Sequence, residues 1–478
     1  LVVLLAAANG AAARGQTAWE RTPYRVTCVV AFDCKTAFGS ESVARFAAAL
    51  QQRVDSMVGG AWDFTASTAS APQAARLGSA LCSPSPAAAQ PAPQPGAPAW
   101  LDDSPVPEAS GSDAPDKVLG LYVERGRSGL RLAVQEYDVR TQLLGPRLQE
   151  DFIHPQLLLS AAVDALFRAF RPLAVVERVT GRDVLLRVRA AALPLRDAEL
   201  DLLHPRGLLQ AVVRYNHRDG SPQHLEVVPW TYLLREPERD ESPSLVQCRI
   251  HSALQAPLTP RRRGRVEMLA VALDPPRGTT RLELYSRTRP DKPLVGYAVY
   301  AYGPDAPQTE LLGYTDAQGG LTIPPGDHPL RLLLIRNGHE ILARLPLVPG
   351  LSPTLRAPLR DDDVRLAAEG FVQGLQYELV DTVVRRQVLL RLLENDLDQR
   401  QWDAARQRME QIDQLPTAAD YRARLSGLES RTFADDAVTR QRIAQLFDDT
   451  RALLDRFLDP APVEALRARL IQQGAQRP

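Results

Sequence analysis

Hydrophobic positions recur along this chain with two periods, and the switches between them divide it into modules. The run at 25–32, RVTCVVAF, is almost continuously β-prone, which predicts a buried strand. After Ser40-Glu41-Ser42, which can cap a helix, Val43, Phe46, Ala47, Leu50, Val54 and Met57 return at helical spacing until Gly59-Gly60 stops them. Trp62 and Phe64 suggest a second strand, and the alternating stretches at 117–123 and 129–138 predict a hairpin turning near 125–128. Pro155 then opens a helix with Leu157, Leu158, Ala161, Ala165, Leu166 and Phe170 on one face, ending before Pro172. Strand, helix, strands, helix is the order of a two-layer α/β domain spanning 16–174.

Residues 83–115 interrupt that domain with Ala, Pro and Ser and no periodicity, the composition of a disordered insert that cannot bury enough apolar surface to offset its ordering entropy. From 175 to 278 the pattern is all-β. Strands at 175–179 and 184–188 flank Thr180-Gly181-Arg182-Asp183, and strands at 211–215 and 224–230 close over Arg218-Asp219-Gly220-Ser221, where Asp-Gly suits a type I′ turn. Further strands at 244–251 and 265–272 would complete a small barrel or sandwich. Period two continues through 279–360, with Val295, Tyr297, Val299, Leu321 and Ile323 alternating, a turn at Thr315-Asp316-Ala317-Gln318-Gly319-Gly320 and another at Asn337-Gly338. Beyond Asp361 the period becomes helical. Phe371, Leu375, Leu379, Val383, Leu390, Leu393 and Leu397 form one long stripe, Trp402, Ala405, Met409 and Ile412 a second, and further helices are expected at 434–458 and 462–472. The first pair resembles one tetratricopeptide-like hairpin, without a second copy at a period of about 34 residues.

Val295-Gly296-Tyr297-Ala298-Val299, then Gly313-Tyr314-Thr315-Asp316-Ala317-Gln318-Gly319, then the strand from Leu321 to Pro324 carry a family likeness. Residues 281–358 resemble the carboxypeptidase regulatory-like domain, a transthyretin-like β-sandwich, except that Gly338-His339 stands where that family has a Gly-aromatic pair. The resemblance implies a non-catalytic module, commonly appended to secreted proteins. By element order, 16–174 is loosely similar to the small N-terminal domains of periplasmic envelope proteins. The expected fold is therefore multidomain α+β, with an α/β domain, a small barrel or sandwich, a transthyretin-like sandwich and a helical domain at 361–478.

Composition narrows the function classes. The 478 residues carry 57 Lys+Arg against 57 Asp+Glu, so no overall field draws the chain to nucleic acid. The opening Leu1-Val2-Val3-Leu4-Leu5 and the small residues to Ala13 read as the later part of a secretory signal peptide at 1–15, with Ala11-Ala12-Ala13 suited to processing. No later apolar run reaches the roughly 20 residues that span a bilayer. A periplasmic, cell-surface or extracellular location follows, where Cys28, Cys34, Cys82 and Cys248 could form disulfides. Strand geometry sets Cys28 and Cys34 roughly 20 Å apart, beyond bridging reach. Cys82 could bridge or stay free.

Candidate chemistry is sparse. A two-residue turn at Asp219-Gly220 would set His217 opposite 222 and place His217 and His224 diagonally on one face at roughly 7 Å, close enough for a shared metal but with no visible third ligand. His154 and His204 precede prolines and mark turns. Arg261-Arg262-Arg263-Gly264-Arg265 could dock an acidic partner, a lipid headgroup or a polyanionic glycan, though a solvated loop explains it. Asp361-Asp362-Asp363 could meet a cation, yet fits a helix start better, where free amides and the dipole favour carboxylates. Nucleophile elbows, zinc-protease helices and phosphate loops do not occur, so no catalytic, cofactor or metal residue is assigned. The expectation is an exported, non-catalytic interaction or structural protein of the bacterial cell envelope or surface with a protein partner. The alternative is an enzyme or accessory protein acting on carbohydrate or peptide.

Overall fold

The structure is a computed structural model that describes residues 19–33, 39–82, 98–101, 114–126, 129–197, 203, 207–218, 221–258, 265–275, 278–306 and 308–474. It is a mixed α+β chain with several sheets, a closed barrel and a helical C-terminal part. None of its described helices is long and apolar enough to cross a membrane.

The first sheet has strands β1 (Tyr24–Phe32), β2 (Trp62–Thr68), β3 (Lys117–Arg125), β4 (Leu130–Asp138), β5 (Leu143–Leu144) and β6 (Leu148–Phe152). Their order is β2-β1-β3-β4-β5, with β6 also on β4, and β1 runs parallel to both its neighbours. Tyr24, Val26, Cys28 and Val30 of β1 face one core with helices α1 (Ser40–Val58) and, later in the chain, Leu158–Ala169. Val29 and Ala31 face a second core with α2 (Ala71–Cys82) and Trp100. Both faces are thus covered, which corrects the two-layer expectation and explains the continuous apolar run, since a strand buried on both sides has no polar face. Helix α2 sits close because Gly78 has no side chain; a Cβ there would come within 2.6 Å of the Tyr122 ring.

Within the span read as a disordered insert, Ala99–Leu101 forms a 3-10 turn whose Trp100 is 1% exposed. Gly39, not Ser40, is the N-cap of α1, and no side chain bonds there. Helix α3 (Leu158–Ala169) follows a 3-10 turn at Pro155–Leu157, and Leu157 is exposed there, not part of the buried face.

A buried ion network fastens this sheet to the next module. Lys117 Nζ lies 3.1 Å from Glu136 and 2.5 Å from Asp138, and donates to the Arg171 carbonyl at 2.6 Å. Arg171 returns its backbone N–H to Glu136 at 2.6 Å and its guanidinium to the Leu143 carbonyl at 3.0 Å. Two carboxylates and two cations compensate one another out of water. Deleting one partner of such a set leaves an uncompensated buried charge, at a cost of about 3–5 kcal/mol. Arg189 adds a bidentate clasp on Asp116 at 2.6 Å.

The second module is a barrel of β7 (Leu173–Thr180), β8 (Asp183–Val188), β9 (Leu208–Asn216), β10 (Pro222–Arg235), β11 (Leu245–Ser252) and β12 (Arg265–Leu273), closed in the order β10-β11-β8-β7-β12-β9. Of the two forms left open by the sequence, it takes the barrel. Val212, Leu225, Leu269 and Val271 from it complete the same core as α1, α3 and Trp62.

Two further sheets share one core. One has order β16-β13-β19 and the other β15-β14-β17-β18, from β13 (Thr280–Ser286), β14 (Ala298–Tyr302), β15 (Glu310–Tyr314), β16 (Gly320–Ile323), β17 (Arg331–Asn337), β18 (Glu340–Leu347) and β19 (Thr354–Leu359). The Thr315 turn holds them in register. Its buried hydroxyl accepts the Tyr297 N–H at 2.9 Å and donates to the Leu294 carbonyl at 2.6 Å, while Asp316 Oδ1 accepts from Gln318 and Gly320. Gly319 has φ 72° and passes so near Leu284 that a Cβ would lie 2.4 Å from its carbonyl oxygen.

Helices α4 (Asp363–Asp398), α5 (Trp402–Asp413), α6 (Ala418–Glu429), α7 (Ala437–Phe457) and α8 (Ala461–Gly474) finish the chain. The acidic triplet stands at the start of α4, where Asp361 Oδ1 accepts the Asp363 N–H at 3.3 Å, and the structure gives it a further role. Asp362 is the N-cap but makes no side-chain cap bond; it receives Arg365 at 2.7–3.0 Å, and Arg365 also reaches the Asn337 carbonyl at 3.1 Å. Asp361 receives Lys292 at 2.6 Å and Arg289 at 2.8 Å. Burial raises the Asp361 carboxyl, but these two cations outweigh it and hold it below the ordinary carboxylate range. The triplet is therefore a joint between the sheets and the helices.

Candidate functional site

The barrel and the paired sheets meet along Leu208, Tyr232, Leu234 and Leu273 on one side and Leu330 and Val348 on the other. Beside this contact a cleft of about 710 Å³ opens. The barrel supplies the β7–β8 turn with Gly181 and Arg182, Trp230 of β10, and Ile250, His251 and Ser252 at the end of β11. The sheets supply Arg287, Tyr302, Leu342 to Pro346 of β18 and Ala357 to Leu359 of β19. Strands β18 and β19 are the edges of their two sheets, so backbone groups lacking a sheet partner on one side line the floor.

Strand β10 places Trp230 by breaking its own regularity. Its pairing with β9 shifts between Val227 and Tyr232, and Trp230 sits at φ 51°. That left-handed conformation is costly for a residue with a Cβ and persists only where surroundings enforce it. Here the Trp230 carbonyl accepts from Ala253 at 3.1 Å, and the side chain packs against the core of the sheets.

His251 lies opposite Tyr232, and its Nε2 is buried without a hydrogen-bond partner among the described residues. Burial, assisted by the charge of Arg249, pushes the imidazole down from an ordinary 6.5 to about 4, so the ring is neutral at pH 7. Ser252 is committed elsewhere, 2.8 Å from the Thr231 hydroxyl and accepting the Leu254 N–H at 2.9 Å. Arg182, Arg287 and Arg344 are exposed around the mouth, and none makes an ion pair with a described residue. The described lining residues include no Asp or Glu. The arrangement can take negative charge at its rim and apolar or aromatic groups on its floor, and backbone donors and acceptors lie between them.

The residues singled out from the sequence lie elsewhere. Pro222 pairs with Asn216 and His224 with Tyr215, on which it stacks at 5.9 Å, so the facing of His217 and residue 222 does not hold. The departure is confined to the pairs nearest the turn, and the irregularity between Pro222 and His224 restores the expected opposition of His224 and Tyr215. Among the described residues no three His, Cys, Asp or Glu gather as a metal site. His154 caps the Pro155 turn. His204, Cys34, Arg261 to Gly264 and the 1–15 segment lie outside the described residues, while Arg265 opens β12. Cys28, Cys82 and Cys248 are free thiols. Burial pushes all three up, Cys82 to about 12, so none is a reactive thiolate.

No family model matches this chain, and no curated protein does. Among solved structures, the crystal structure of TolB from Acinetobacter baumannii aligns at 11% identity over 69% of this chain and 84% of that one, with a TM-score of 0.18. The Bacillus anthracis TIE protein aligns at 8% identity over 45% of this chain and 46% of that one, with a TM-score of 0.15. Neither score carries an argument about fold or function.

Proposed function

We propose that this is an exported, non-catalytic binding protein of the bacterial cell envelope or surface, and that its cleft holds an acidic, extended segment of a protein partner. The observation that carries the reading is the trio Arg182, Arg287 and Arg344, unpaired within the described chain, at the rim of a cleft floored by two sheet edges. Guanidinium groups bind carboxylates bidentately, and an extended peptide can satisfy a free strand edge along its backbone. Trp230, Tyr302 and Leu345 give side chains of such a segment apolar contacts. Export rests on the apolar stretch before Ala13. The carboxypeptidase regulatory-like reading of 281–358 is part of the same proposal, supported by the two-sheet arrangement and the Thr315 turn. The rival, an enzyme acting on carbohydrate or peptide, would be favoured by convergent carboxylates or histidines in the cleft; the described lining holds His251 and no Asp or Glu.

The test is calorimetric titration of the full chain with poly-L-glutamate and with poly-L-lysine. Binding of the acidic polymer alone, weakened by salt and lost in the R182E/R287E/R344E variant, is the expected result. Equal binding by wild type and variant, or no binding of poly-L-glutamate, overturns the reading.

A further inference from the structure

The long helix α4 has two apolar faces, and the described residues cover only one. Ala368, Val372, Leu375, Leu379, Leu393 and Leu397 are buried against α5, α6 and α7. Tyr377, Val380, Val384 and Val388 are each more than half exposed. At 3.6 residues per turn these four and Arg391 fall within a sector of about 80° and run for about 21 Å along the helix. An exposed apolar strip, about 16 Å of that length, on a helix that already has its core face marks an interaction surface.

The charges beside the strip say what covers it. Asp381 and Arg385 form an exposed pair at 2.9 Å on one shoulder, and Arg391 is exposed with no ion pair to a described residue. We infer that the strip is the interface of an antiparallel dimer with a second copy of this chain, its two-fold axis passing through Val384. With Val384 facing itself, Val380 meets Val388 of the second copy, and the Tyr377 ring meets Arg391 of the second copy, a cation–π pairing. On the shoulder, Asp381 of each chain lies about 3 Å along the axis from the level of Arg385 of the other, within the span of that long side chain, so the two intrahelical pairs form one row of alternating charges. Parallel pairing would instead bring Arg391, near the centre of the strip, beside Arg391 of the second copy and lose its contact with Tyr377, which is unfavourable. The apolar and charged positions are therefore self-complementary in one orientation. Four helical turns make a small interface, so the dimer dissociates within an accessible concentration range.

Sedimentation velocity of the full chain from about 1 to 100 µM should show a monomer–dimer equilibrium. V384E places two carboxylates on the axis and should weaken association by about tenfold or more, with far-UV circular dichroism unchanged because the position is exposed. Under mild oxidation V384C should crosslink to itself, V388C should not, and a mixture of V380C and V388C chains should, as only antiparallel pairing brings those positions within disulfide reach. A chain that stays monomeric over this range, a dimer that V384E leaves intact, or self-crosslinking of V388C as fast as V384C overturns the proposal. Each of these outcomes is independent of what the cleft binds.

Discussion

His251 shows how one side chain ties the cleft to pH. In the folded chain the imidazole protonates only near pH 4, whereas in the unfolded chain it takes its proton near 6.5. Below pH 6.5 the unfolded state therefore binds a proton that the folded state refuses, and stability falls with pH until about 4, where both states are protonated. The contribution is fully present above the upper value. Urea unfolding midpoints of wild type and H251Q between those two limits should diverge, the variant losing less stability as the solution is acidified; parallel curves would show that His251 is not held neutral. None of this was legible beforehand, because His251 reads as the last residue of an ordinary strand. What isolates it is burial between β10, β11 and the neighbouring sheets, elements far apart in sequence. The same holds for Arg182, Arg287 and Arg344, which come from three separate turns and strands. Asp316 is the contrary case, since its carboxylate accepts from Gln318 and Gly320 just beyond it, and a turn built by one side chain on its own neighbours is local and can be read directly.

At the scale of elements, periodicity located β1, α1, β2, the hairpins, the barrel strands and α4, all of which keep one face or both in a core. It missed α2, whose Gly78 reads as a breaker but is a contact with Tyr122, and α6, which is short and largely polar. Trp100 was hidden by averaging, because one buried aromatic hardly alters the composition of a Pro- and Ala-rich stretch. The Asn337-Gly338 turn was visible, but not its purpose. Gly338 at φ 61° bends β17 into β18 directly beneath α4, with Leu366 Cδ1 2.7 Å from where a Cβ would stand, and the preceding carbonyl takes Arg365. Gly338→Val should therefore strain the turn at φ 61° and push the Leu366 side chain aside, costing about 1–3 kcal/mol. Urea unfolding gives the loss, and faster amide exchange at Val364 to Ala368 would show that the joint has loosened; protection unchanged from wild type would mean the turn and the helix are independent.

For the whole molecule, the boundary suggested near 174 runs through a continuous core. Val212, Leu225, Leu269 and Val271 of the barrel pack with Trp62, Leu166 and Phe170, and the Tyr24 hydroxyl accepts the Leu173 N–H at 2.9 Å. A fragment covering 19–273 should fold cooperatively, while 19–174 should lack near-ultraviolet circular dichroism and a sharp thermal transition; a cooperative 19–174 would show that the barrel merely leans on its neighbour. The connection through Tyr232, Leu234, Leu330 and Val348 is smaller and leaves the cleft beside it open. This division also bears on how the molecule emits light. Of the five tryptophans, Trp19, Trp62 and Trp100 belong to the first unit and Trp402 to the helices, so Trp230 alone stands in the cleft. Its strained backbone holds the indole between the barrel and the sheets, where a bound segment would alter its solvent contact. The cleft thus carries an intrinsic fluorophore of its own, and a change in emission that W230F abolishes would report occupancy without any label.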